Sequence, residues 1–132
     1  MLIDGYTSAA AGGAPKDEAL FWWQGFSSRY YLTSIFRLAK LDCREAGVFL
    51  MVRREADNTR TPLLIGAAKS ISDDLPDLYG DAFLRAISAG ANEIHVNFTA
   101  TSDVRRQKMI ADIVEGWSVP VVGASEGVLH YA

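Results

Sequence analysis

The chain has 132 residues, 49% of them hydrophobic and 22% charged, which are the proportions of one globular domain with a single core. No apolar run approaches the roughly 20 residues needed to span a bilayer, so no membrane partner is expected. A net charge of −3 argues against a protein that grips nucleic acid by its phosphates, because that binding draws on a basic surplus; nucleic acid is a disfavoured partner rather than an excluded one.

Residues 1–16 open with "MLIDGYTSAAAGGAP", which lacks a basic start and is too weakly apolar for a secretory signal. They read as a disordered tail, and residues 17–132 as a single domain. Next, "DEALFWWQGFSS" reads as a short helix or an aromatic arm. Adjacent Trp22 and Trp23 cannot both point into one core: they lie about 180° apart in a strand and about 100° apart in a helix. One of them is therefore a candidate interface residue, covered by the N-terminal arm, by a partner subunit or by a stacked base. "RYYLTSIFRL" (29–38) is rich in aromatic and β-branched residues and predicts a strand. Cys43 is the only cysteine, which excludes an internal disulfide and suggests a reducing, cytoplasmic setting.

"GVFLMVRR" (47–54) and "PLLIGAA" (62–68) predict two strands of an antiparallel hairpin, joined by "EADNTRT" with its Asp57 and Asn58 turn signals. "SISDDLPDLYG" predicts a short helix broken by Pro76. "DAFLRAISAG" predicts a second helix with Phe83, Ala86 and Ile87 on one face and a stop at Gly90. "EIHVNFT" alternates strictly, so Ile94, Val96 and Phe98 should be buried and Glu93, His95 and Asn97 more exposed. "TSDVRRQKMIADIVEGW" predicts a helix capped by Thr101 or Ser102, with Ile110, Ile113, Val114 and Trp117 as its apolar stripe. Together these elements predict an α+β fold, a small mainly antiparallel sheet with helices packed on it.

A strand opening Gly-x-aromatic, a polar turn and a strand closing Ile-Gly before a helix resembles the GIY-YIG nuclease domain. The resemblance rests on "GVF" at 47–49 and "LIG" at 64–66, and extends more loosely over about residues 45–122, with an added N-terminal strand. It implies a site of two tyrosines, a helical arginine that neutralises the scissile phosphate, and a glutamate that holds a divalent metal. This sequence departs from that pattern at each position. Phe49 keeps the first ring without its hydroxyl, and Leu64 keeps neither. Asp74 stands at the arginine position, and the glutamate position falls at or near Ile110. The resemblance therefore implies a degenerate site, with no catalytic residue, metal or cofactor expected. Lys69, Arg85, Asp112 or Glu115 could stand in, and no spacing favours one of them.

Other features are weaker. Glu93, His95 and Asn97 share one side of a strand and could bind a ligand, but two ligand types on one strand do not define a metal site. Lys69 and Arg85 complete the candidate ligand-binding set. The basic pairs and runs, Arg53–Arg54 and "RRQK" (105–108), read as solvated faces, since Asp73, Asp74 and Asp77 lie in the same small domain. No phosphate-cradling glycine loop is present. The function expected is a non-catalytic interaction module that binds protein or self-associates through the Trp22/Trp23 region. The alternatives are a metal-dependent endonuclease with displaced residues, or a DNA-binding remnant.

Overall fold

The computed structural model describes residues 19–122, and the expected tail over residues 1–16 lies outside them. Runs of aromatic and β-branched residues form five strands: β1 Leu20–Gln24, β2 Tyr30–Arg37, β3 Gly47–Arg54, β4 Arg60–Ala68 and β5 Glu93–Asn97. Three α-helices punctuate them: α1 Ile71–Leu78, α2 Gly80–Ser88 and α3 Asp103–Trp117. The strands build one antiparallel sheet in the order β1-β2-β5-β3-β4. The fold is α+β, as the sequence predicts. The last of the described strands, β5, is the middle of the sheet.

"FWWQ", expected as a helix or an arm, is a strand. β1 pairs with β2 from Leu20 opposite Ser34 to Gln24 opposite Tyr30. The turn between them is pinned to α3: Asp112 accepts from the Ser27 amide at 2.8 Å, the Ser27 hydroxyl at 2.6 Å and the Tyr31 hydroxyl at 2.7 Å. The β3–β4 hairpin closes through Asn58, which takes the left-handed conformation at φ 72°, while Asp57 accepts from the Thr59 amide.

Both faces of the sheet are covered. Phe49, Met51, Leu64, Ala68, Ile94 and Val96 form one core with Ile71 and Leu75 of α1 and Ala86 of α2. Trp23, Val48, Leu50, Val52 and Ile65 form the other with Met109, Ile110 and Ile113 of α3. The helix ends agree with the sequence signals. The Ser102 hydroxyl accepts from the Arg105 amide to cap α3, and Gly90 takes φ +103° just past α2. Pro76 sits inside α1, which ends two residues later at Leu78.

Two covered faces correct the expected burial of β5. Ile94 and Val96 are buried as predicted and Phe98 partly so, but Glu93, His95 and Asn97 are buried too, at 7%, 0% and 1% exposure. A central strand under helices on both sides has no wet face.

Gly47 and Gly66, the bounds of the hairpin, are required by packing. A methyl on Gly47 would lie 2.7 Å from the Asn97 carbonyl oxygen. One on Gly66 would overlap the Val122 side chain and approach Phe49 Cζ to 3.0 Å. Val122 comes there because residues 120–122 run beside the outer edge of β4. The Ile65 amide donates to the Pro120 carbonyl at 3.0 Å, and the Val122 amide to the Ile65 carbonyl at 2.7 Å.

Candidate functional site

The four positions singled out by the nuclease resemblance do not meet. Phe49 and Leu64 are sealed in the core beneath α1 and α2, at 0% and 4% exposure. Asp74 turns its carboxylate onto the backbone that leads into α1, accepting from the amides of Lys69 at 3.0 Å and Ser70 at 3.2 Å. Ile110 belongs to the core on the opposite face of the sheet. Among the described residues, no group of three His, Cys, Asp or Glu side chains is placed to hold a metal ion.

The polar side of β5 is organised into a buried chain of hydrogen bonds. Trp23 Nε1 donates to His95 Nδ1 at 2.9 Å, and His95 Nε2 lies 2.9 Å from Glu93 Oε1. Arg60 Nε donates to the same oxygen at 3.0 Å, and Arg54 Nε stands 3.5 Å from Glu93 Oε2. An indole N–H can only donate, so Nδ1 must present its lone pair and the single imidazole proton sits on Nε2, directed at Glu93. Phe21 roofs the chain. Its ring stacks on the Arg60 guanidinium, 5.0 Å from the centroid, and lies 4.8 Å from the Trp23 ring.

Charge follows from this geometry. Burial by itself would raise the Glu93 pKa, but hydrogen bonds from His95 and Arg60, together with the positive charge of Arg60, hold it at about 2. Burial lowers the His95 pKa despite the neighbouring Glu93 carboxylate. Every member of the chain has a partner, as a buried polar network requires. The assembly therefore supports the core and presents no group to a substrate. Asn97 is similarly engaged: its amide donates to the Leu32 carbonyl at 2.8 Å, and its carbonyl accepts from the amides of Thr99 and Ala100.

Lys69 and Arg85, the other two candidate ligand groups, are exposed and lie in different places. Arg85 is on α2, whereas Lys69 lines a crevice of about 350 Å³ at the end of β4. Ala67, Ala68, Asp74, Tyr79, Asp103 and Arg106 complete its walls. Two cations face two carboxylates there. Asp103 holds Arg106 Nη1 at 3.2 Å, and the Tyr79 hydroxyl donates to the Ala67 carbonyl at 3.1 Å. The first amides of α1 are already taken, Ile71 by the Glu45 carbonyl and Ser72 by that of Cys43. The crevice thus has mixed charge and no nucleophile–base pair.

The two tryptophans part as a strand requires. Trp23 is fully buried against His95 and Trp117, whereas Trp22 points to the other face and is 41% exposed. Tyr30, 51% exposed, stands diagonally across the β1–β2 pair on the same face as Trp22, with Leu32 between them. The candidate interface narrows from Trp22 and Trp23 to Trp22 with Tyr30. Packing of either indole against the N-terminal arm lies outside the described residues.

Arg60 and Asp112, which organise the two polar clusters, carry no motif. Their signal is pairing across 33 and 81 positions, Arg60 with Glu93 and Asp112 with Tyr31. Such pairing is invisible without the sheet order. Comparison with protein-family models, with curated proteins and with solved structures gives no match.

Proposed function

We propose that this chain is a non-catalytic interaction module, a degenerate relative of the GIY-YIG nuclease scaffold, whose occupant on the exposed β1–β2 face is a second copy of itself. One observation carries the reading. Asp74, Glu93, His95 and Asn97 are bound up in structure, while Trp22 and Tyr30 stand exposed on one face of the β1–β2 pair. Exposed aromatic clusters of this kind mark docking surfaces.

The choice of a second copy rests on the chemistry of the patch. Trp22, Tyr30 and Leu32 carry no charge, so they complement an apolar aromatic surface rather than a charged partner, and another copy supplies that surface.

The test has two parts. Sedimentation velocity should show a reversible dimer that Trp22→Ser with Tyr30→Ser abolishes. Plasmid nicking with Mg²⁺ or Mn²⁺ should stay at the level of the buffer control. A monomer at all concentrations removes the self-association. Metal-dependent nicking favours the displaced-residue endonuclease, and salt-sensitive DNA binding favours the DNA-binding remnant.

A further inference from the structure

The buried chain has a direction. Trp23 Nε1 can only donate, so its 2.9 Å bond to His95 Nδ1 exists only while that nitrogen is unprotonated. A second proton on the imidazole must go to Nδ1, because Nε2–H already faces Glu93 Oε1 at 2.9 Å. The imidazolium would then set one N–H donor against another at hydrogen-bond distance, with no lone pair between them.

Trp23 is one of the anchors of β1, beside its ladder with β2 and the Trp117 Nε1 bond to the Gln24 carbonyl at 2.8 Å. It is fully buried, its ring packs edge-on to Trp117 at 5.1 Å, and among the described strands β1 pairs with β2. We propose that His95 is an acid-operated latch on the edge strand: protonation at Nδ1 expels the Trp23 indole and releases β1 from the sheet, with the remaining strands left in place.

The surroundings of His95 define the latch. From its own strand it faces Glu93; from β4, Arg60, whose charge opposes protonation; and from β3, Leu50, with Arg54 reaching the far oxygen of Glu93. β1 contributes Phe21 and Trp23, and β2 contributes Ile35, all uncharged. α3 presents Met109, Ile110 and Ile113, while its Asp112 turns to Ser27 and Tyr31. Burial holds the His95 pKa below its ordinary value, so the latch stays shut at neutral pH. Glu93, at about 2, and Asp112, also lowered, keep their charges into acid that would neutralise ordinary carboxylates. The latch does not depend on what, if anything, docks on β1.

The experiment is amide hydrogen exchange on the full chain, read as protection factors at about pH 7.5 and at a pH below the His95 titration as NMR locates it. In the unaltered protein the Phe21 and Trp23 amides should lose about tenfold or more of their protection at the lower pH, while Leu50 and Ile94 keep theirs. His95→Gln retains one donor and one acceptor but has no proton to gain, so its β1 protection should not change with pH. Trp23→Phe removes the opposing donor, and the His95 imidazole, followed by NMR, should then titrate at higher pH. The latch is overturned by pH-indifferent β1 protection, by loss of β1 and β3 protection together, or by an equal loss in His95→Gln. An unmoved His95 titration in Trp23→Phe overturns it equally, and that measurement stands if His95→Gln fails to fold.

Discussion

Glu93 holds the most consequential charge in the core, because three side chains converge on its two oxygens. Its pKa falls from the ordinary 4.5 to about 2, so the folded state binds fewer protons than the unfolded chain in that interval. The stability this contributes is therefore present above 4.5 and is lost as pH falls toward 2. The shift corresponds to on the order of 3 kcal/mol, which acid titration of the unfolding free energy would register as a decline through that window. Arg60, with a side chain 3% exposed, is the other half of the pair. Arg60→Met should cost about 3–5 kcal/mol in urea denaturation, since it leaves a buried carboxylate short of a partner. Adding Glu93→Gln should cost less than the two single losses combined, because the uncompensated charge goes with it.

At the scale of elements, much of the chain was legible. The hairpin, the Gly90 stop and the Ser102 cap all obey local rules that act over a few residues. β1 was harder to read, because "FWWQ" lies between polar flanks and its five residues gain strand geometry only from pairing with β2. The burial of β5 was missed for a different reason. Alternation tells which residues share a face, but whether that face is wet depends on α3 crossing it. The continuous apolar run "GVFLMV" in β3 was the available sign of a strand buried on both sides. Glycines make the same distinction testable. Gly66→Ala drives a methyl into Val122 and Phe49, and should destabilise by about 1–3 kcal/mol while exposing the Ile65 and Val122 amides to exchange. Gly80→Ala meets nothing within 4 Å at the start of α2, and should be neutral or stabilise by up to about 1 kcal/mol.

Across the whole molecule, the candidate chemistry expected from sequence is dispersed rather than concentrated. Phe49 and Leu64 lie under α1 and α2, Ile110 lies on the far side of the sheet, and His95 and Asn97 are fastened inside. Spacing in sequence could not show this, because the side of the sheet a helix covers is decided by its crossover. Among the described residues, Trp22 and Tyr30 leave an exposed aromatic face on β1 and β2. If two copies meet there only when folded, mass action requires the melting temperature to rise with protein concentration. Calorimetry over a hundredfold range, on the order of 10⁻⁶ to 10⁻⁴ M, should show that rise, and Trp22→Ser with Tyr30→Ser should flatten it.

The occupied flank of β4 has a consequence for how such copies can add up. Residues 120–122 bond to Ile65 along that flank, so an incoming strand finds its amide and carbonyl already used. A head-to-tail arrangement, β1 of one copy against β4 of the next, would propagate without end and make a fibre. If copies join as proposed, that occupied point of β4 disfavours open-ended growth and favours two like faces meeting about a two-fold axis.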